Sequence, residues 1–439
     1  MKRVLYNQMV EWKESPSRKP LILEGARQVG KTWLIKEFGR NEYDNMVYVN
    51  CANNDFARNL FKRDLVPQRI IRDIVANTGQ RIIAGQTLLV FDEIQEAPFG
   101  VTSLKYFCED APEQHVIAAG SLLGVVHHSG ESYPVGKVDT LRLYPMTFEE
   151  FVWAKGNEQL AEVLNNCEWD SLEVLSPKLE DWLRQYYYVG GMPEAVLSWV
   201  TEEDVLKVRL IQKRIIASYA NDISKHAGGE AERIRMVWNS IPAQLAKENK
   251  KFIYGAVKKG GRAKDFEVAI QWLVDAGLVY KIHRCKSPMM PLKFYEDFDA
   301  FKLFLLDIGL LGALAQTPAG QMIVSNDVFK EYKGAFTENY ILQQLVSEDL
   351  IVYYYSKENS KVEIDFLVQV NNRLIPIEVK AEESVKSKSL KQFVTIDHAD
   401  SHLKGLRCSM KPYIDQGWME NIPLYSILGY MKKQLQSKP

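Results

Sequence analysis

The stretch Gly25-Ala26-Arg27-Gln28-Val29-Gly30-Lys31-Thr32 constrains this chain more than any other. It fits the pattern GxxxxGK[ST], follows the apolar run Pro20–Glu24 and precedes a helical stretch, Trp33–Phe38. A strand, a glycine loop and a helix in that order form a cradle for phosphate groups. Glycines let the backbone N–H groups of residues 25–30 curl round an anion, and the helix start adds the positive end of its dipole. Lys31 then reaches the β- and γ-phosphates, and Thr32 offers a hydroxyl to Mg²⁺.

Further apolar runs follow at Met46–Asn50, Thr87–Asp92, His115–Ala119 and Thr140–Leu143. They are continuous rather than alternating, as in strands covered on both faces, which predicts an α/β fold with a parallel sheet and helices on either side. The run Leu88–Phe91 ends in Asp92-Glu93. Taken alone, such a pair could cap a helix. Next to a phosphate loop, Asp92 is a candidate ligand for ATP-bound Mg²⁺, and Glu93 a candidate to polarise the attacking water. The run before Gly120-Ser121 ends similarly, and Ser121 either senses the γ-phosphate or caps the following helix.

Composition narrows the class. The chain has 439 residues, 46% hydrophobic and 25% charged, as in folded soluble proteins rather than disordered or coiled-coil ones. Its net charge of -1 argues against a protein that coats nucleic acid with its whole surface. Cys51, Cys108, Cys167, Cys285 and Cys408 are scattered without CxxC spacing, which fits a reducing, cytoplasmic setting. The N-terminus reads as an amphipathic helix with Leu5, Met9 and Trp12 on one face, not as a signal peptide. No apolar run is long enough to span a membrane.

Periodicity divides the chain into four segments: 1–150, the phosphate-binding α/β domain; 151–226, a helical lid; 227–319, short helices and a strand pair in the manner of a winged helix; and 320–439, a second α/β domain. Gly190-Gly191-Met192-Pro193 breaks the helical segment.

The phosphate loop and Asp92-Glu93 resemble those of AAA-type P-loop ATPases. The chain also resembles a prokaryotic family that joins such a module to a domain of unknown function. This likeness is carried by Asp92-Glu93-Ile94-Gln95 with Pro98, Gly120-Ser121, Tyr144–Phe151 (YPMTFEEF), Gly190–Glu194 (GGMPE) and Phe304–Leu310 (FLLDIGL). It implies ATP and Mg²⁺ as cofactors, ATP hydrolysis, and homo-oligomers with shared active sites. One departure stands out: Gly136-Lys137 replaces the family's Gly-Arg, and lysine lacks the planar bidentate contact of arginine. Arg142 is nearby, and no arginine finger is assigned.

Near the C-terminus, Val362–Val370 alternates strictly, Asn371-Asn372 makes a two-residue turn, and Arg373–Lys380 runs back. In that register Asp365 faces Glu378, and Glu363 faces Lys380. Alternation puts Asp365, Glu378 and Lys380 on one side. Two opposed carboxylates repel unless a cation lies between them. The pattern D…ExK therefore suggests a metal-dependent nuclease, with Asp365 and Glu378 holding Mg²⁺ and Lys380 positioning water. Glu338 on the preceding helix and Gln392 on the next complete an order that resembles the restriction-endonuclease-like fold. A plain salt-bridged hairpin, with Glu363 as a partner, is the other reading.

Lys247, Lys250, Lys251, Lys258, Lys259, Arg262 and Lys264 crowd one short stretch, opposed by Glu248. This suits contact with a DNA backbone, or else a solvated loop. His127-His128 reads as an exposed loop pair, and Tyr186-Tyr187-Tyr188 as core packing. The function expected is Mg²⁺-dependent ATP hydrolysis coupled to DNA binding or processing. The alternative is an ATP-dependent regulatory switch whose nuclease-like domain is catalytically inactive and binds partners.

Overall fold

The computed structural model describes residues 1–52, 54–120, 133–247, 250–318, 333–357, 360–381, 386–401 and 403–437. Two compact units emerge. One comprises Lys2–Tyr144 with Asp275–Gly277, the other Pro145–Val274 and Leu278–Pro439.

The N-terminal unit holds five strands: β1 (Leu21–Glu24), β2 (Asn45–Asn50), β3 (Thr87–Asp92), β4 (Val116–Ala119) and β5 (Asp139–Arg142). They form one sheet in the order β2-β3-β4-β1-β5, and every pairing is parallel. The continuous apolar runs dictate this. Leu88–Phe91 and Val116–Ala119 are wholly buried, so both faces need cover. Ile22, Leu89, Phe91 and Ala118 pack with Ile70, Ile74, Leu104 and Phe107 from the helices Pro67–Thr78 and Gly100–Asp110. Trp12 of the N-terminal helix packs edge-on to His115 and lies beside Phe38 of the helix Lys31–Glu42. The parallel order brings the loop after β1 and the acids after β3 to the same edge of the sheet.

The C-terminal unit opens with helices from Phe148 to Leu245 and adds a mixed sheet. Its strands are β6 (Val279–Cys285), β7 (Glu296–Leu305), β8 (Val352–Ser356), β9 (Glu363–Val370), β10 (Arg373–Val379), β11 (Gly405–Ser409), β12 (Ile414–Asp415) and β13 (Met419–Pro423). Their order is β12-β13-β11-β10-β9-β8-β6-β7. Short helices at Ala231–Leu245, Tyr254–Val257 and Ala263–Asp275 do precede the antiparallel pair β6–β7. That pair is not a free-standing wing, however. Cys285 and Arg284 of β6 pair in parallel with β8, so the sheet runs through the division expected at 319/320. Tyr186 and Tyr188 lie in the core, as their apolar spacing implies.

Three sequence blocks that look unrelated in the chain meet here. The Asp307 carboxylate is wholly buried; it accepts from the Gly191 N–H at 2.5 Å, the Leu310 N–H at 2.9 Å and the Gln343 amide at 3.4 Å. The bond to Leu310 caps the helix Ile308–Leu314. Gly190 has φ 74°, and a Cβ on it would collide with that same carboxylate. The Met146 N–H donates to the Gly191 carbonyl at 2.7 Å, and the Tyr186 hydroxyl to the Met146 carbonyl at 2.5 Å. Burial pushes the Asp307 carboxyl up to about 6, and the converging N–H groups oppose that rise. Asp307→Asn is nearly isosteric, but its amide nitrogen would face N–H donors. It should destabilise the chain by roughly 2–4 kcal/mol in urea melts; a midpoint equal to wild type would mean the network holds nothing together.

Candidate functional site

The phosphate loop has the backbone its glycines permit. Gly25, Gln28 and Gly30 have φ of 152°, 67° and 99°. A Cβ on Gly25 would strike the Leu143 carbonyl, so only glycine fits there. Gly30 stands just before the helix Lys31–Glu42, whose free N–H groups open into the loop. Lys31 is 8% exposed, and its ammonium donates to the carbonyls of Gly25 and Ala26 at 2.8 and 2.9 Å. Burial lowers its pKa to about 8; Glu93 and Asp92 act in the opposite sense, and Arg27 adds to the fall. A buried ammonium held only by carbonyls gains from any anion placed on the loop.

The acids lie against this loop. The Thr32 hydroxyl donates to Asp92 Oδ2 at 2.9 Å, and the Tyr48 hydroxyl donates to the same oxygen. The other oxygen, Oδ1, takes the Glu93 N–H at 3.1 Å. Glu93 has φ 51° and accepts from the Gln95 amide at 2.5 Å. One hydroxyl and one carboxylate side by side are hard oxygen donors. They suit Mg²⁺, which takes one or two protein ligands and completes its shell with phosphate and water. Thr32 and Asp92 would hold it.

Two contributors went unnoticed in the sequence. Arg3 is 6% exposed and donates to the Val29 carbonyl at 2.8 Å and the Tyr144 carbonyl at 2.6 Å, tying the loop to the end of the sheet. Tyr48 sits on β2, directly in register with Val90 of β3. Burial and the Asp92 carboxylate push its hydroxyl up, so it stays a donor. No local motif marks either residue, because each acts across a long stretch of chain. Lys137 is engaged with Glu109 at 2.9 Å. Arg142 lies over the Tyr144 ring and pairs in register with Glu24, whose carboxyl burial raises. Ser121, His127, His128 and Glu248 lie outside the described residues.

In the C-terminal unit the hairpin takes the expected register: Val370 faces Arg373 and Phe366 faces Ile377, with Asn371 in the left-handed region at the turn. The pairing stops there, and Asp365 Oδ2 instead accepts the Val379 N–H at 2.7 Å. On the other side of β9, Tyr353 pairs with Leu367 but Tyr355 with Ile364. This bulge breaks the strict alternation expected around Asp365. The charges then fall into two groups. Asp365 lies near Glu338, Lys302 and Lys250; burial and Glu338 raise its pKa against the pull of the two lysines. Glu378 bonds Lys380 at 2.9 Å and stands in register with Arg407. Glu363 is paired with Lys302, at 2.6 Å, rather than with Lys380. Gln392 ends the short helix Lys388–Gln392. Among the described residues no group of three or more His, Cys, Asp and Glu is arranged to hold a metal. Of the basic cluster, Lys251, Lys258, Lys259, Arg262 and Lys264 are exposed, but Lys250 is turned onto Glu338 at 2.5 Å. No helix among the described residues is long and apolar enough to cross a membrane.

Residues 17–152 match the family of AAA domains. Residues 180–321 and 333–426 match two domains of unknown function, DUF8612 and DUF4143. No curated protein matches the chain. Similar solved structures include the Orc1 protein of Aeropyrum pernix in complex with DNA, at 13% identity and a TM-score of 0.28, covering 72% of this chain and 91% of that one. RuvB of Thermotoga maritima gives 14% identity and 0.29, with 65% and 89% covered. Cdc6p of Pyrobaculum aerophilum gives 13% and 0.24, with 71% and 91% covered. Scores this low leave the assignment to the AAA match and the loop geometry, which make the N-terminal unit an AAA-type P-loop ATPase module.

Arg3→Met removes the guanidinium bonds to the Val29 and Tyr144 carbonyls. It should weaken ATP binding roughly tenfold, read by titration calorimetry; unaltered affinity would show that the loop keeps its shape unaided.

Proposed function

We propose that this chain binds and hydrolyses ATP with Mg²⁺ and uses the cycle to act on DNA. The convergence of Lys31, Thr32 and Asp92 at one sheet edge carries this reading. The N–H groups of residues 25–30 cradle the phosphates, and Lys31 leaves the Gly25 and Ala26 carbonyls for the β- and γ-oxygens. Bound Mg²⁺ would neutralise charge developing on the phosphates. Thr32 and Asp92 present oxygens to it, and Tyr48 fixes the Asp92 carboxylate. Glu93 accepts a proton from, or orients, the attacking water once freed from Gln95. Ser121 is proposed as a γ-phosphate sensor. DNA contact is assigned to the exposed Lys251, Lys258, Lys259, Arg262 and Lys264. Homo-oligomers and a cytoplasmic location belong to the same proposal.

A second reading concerns the C-terminal unit. Asp365, Glu378, Lys380, Glu338 and Gln392 are those of a metal nuclease in their order along the chain. The engagement of Glu338 by Lys250 and Glu363 by Lys302 favours an ATP-driven switch whose nuclease-like domain is silent in this state and binds partners.

ATP turnover measured with and without double-stranded DNA tests the main reading. Lys31→Ala should reduce turnover to background. Glu93→Gln should still bind ATP yet turn over about 10²-fold or more slowly. Wild-type turnover in Lys31→Ala would refute the ATPase assignment, and indifference to DNA would refute the coupling.

A further inference from the structure

Glu338 is 4% exposed, on the helix Lys333–Val346. Its Oε1 is bonded to the Lys250 ammonium at 2.5 Å, while Oε2 is buried and lacks a hydrogen-bond partner. A buried carboxylate oxygen left bare is costly and calls for a cation or a proton. Asp365 lies beside it, with Oδ2 already on the Val379 N–H. The other nearby ammonium, Lys302, is committed: it is 1% exposed, bonded to Glu363, and lies 4.6 Å from the centre of the Tyr354 ring. Lys250 is held differently. It belongs to the connection between the helices Ala231–Leu245 and Tyr254–Val257, its side chain is 14% exposed, and its neighbour Lys251 is at the surface.

Charge arithmetic shows what this lysine does. Three carboxylates, Glu338, Glu363 and Asp365, face two ammonium groups, Lys250 and Lys302, a deficit of one positive charge. Without Lys250 the deficit becomes two, which a divalent cation matches. The oxygens present, including the bare Glu338 Oε2, are the hard donors that Mg²⁺ or Mn²⁺ takes. As long as Lys250 stays, its charge stands within bonding distance of the first of them.

We propose that Lys250 is a built-in counter-ion that holds Glu338 and Asp365 closed to divalent metal, and that its withdrawal opens a metal site there. The proposal rests on reading these two carboxylates as the metal-binding part of a nuclease-like centre. It makes that centre latent, controlled by the segment that carries Lys250, rather than dead.

Mn²⁺ binding to the nucleotide-free chain, followed by calorimetry, tests the lock. Wild type should bind weakly at this site. Lys250→Met should bind one more Mn²⁺ with affinity higher by on the order of tenfold or more, and adding Asp365→Asn should abolish the gain. Lys250→Arg keeps the charge and should stay closed, which separates charge from packing. If Lys250→Met does not fold, Lys250→Gln takes its place, with thermal melts confirming the fold. Tight, Asp365-dependent binding in wild type would overturn the lock while leaving the metal reading intact. No binding in wild type or in either neutral variant would overturn both.

Discussion

A single carboxylate organises the larger unit. Asp307 lies at the end of β7 and receives N–H bonds from Gly191 and Leu310, parts of the chain separated by more than a hundred residues. In a dry core such a group persists only if its acceptor sites are filled. That demand explains several residues at once. Gly190 and Gly191 are bare because a Cβ on either would collide, one with Asp307 and the other with the Met146 backbone. Gly309 is bare because a Cβ there would strike the Val189 carbonyl. Gln343 and Asn339 face inward from the helix Lys333–Val346 and bond the backbone of Ile308 and Leu305. Helices from one half of the unit and the edge of its sheet are thereby locked in one arrangement, and β7 is fixed in turn. Lys302 stands five residues before Asp307 on that strand, so the position of the acidic centre depends on the same anchor.

In the N-terminal unit the corresponding constraint is backbone shape. Left-handed conformation at Gly25, Gln28 and Gly30 makes the loop concave, and its concavity is where Lys31 is buried. A non-glycine residue at positive φ costs about 1–2 kcal/mol. Gln28 bears that strain inside a structure pinned on both sides, by Arg3 at Val29 and by the helix start at Gly30. Arg3 spends its guanidinium on two carbonyls of the protein itself, so the loop is shaped before any ligand arrives.

Much of this was legible in the chain. Continuous apolar runs gave the parallel sheet, and the glycine spacing gave the loop. The turn at Asn371-Asn372 even set the hairpin register residue by residue as far as Phe366 and Ile377. Legibility failed just beyond, at Asp365. A period of two predicts which side a residue faces only while each strand contributes one residue per step. Opposite Tyr354 of β8, β9 itself contributes an extra residue, Asp365 and Phe366 standing against one, and nothing in Glu363–Val370 announces it. The ion pairs were equally hidden. Glu363 has Lys380 as the natural partner on a hairpin, but the sheet brings up β7 with Lys302, from an element the sequence suggested was a separate wing. Lys250 read as surface charge because its neighbours are; only the fold turns it inward onto Glu338.

Two lysines therefore do opposite things with the same chemistry. Lys31 is buried against neutral carbonyls, which burial makes a poor resting place for a charge and which an arriving phosphate can outcompete. The loop is open to its ligand because its cation is under-satisfied. Lys250 is half-buried and paired with a full carboxylate, and on the proposed lock an incoming metal ion must first displace that ammonium from its bond to Glu338. On the same proposal, that centre is closed because its cation is satisfied. A metal gains entry only when something else changes the company Lys250 keeps. Such a change has to come through the short connection that carries Lys250, since Glu338 and Lys302 are held on a packed helix and a sheet strand.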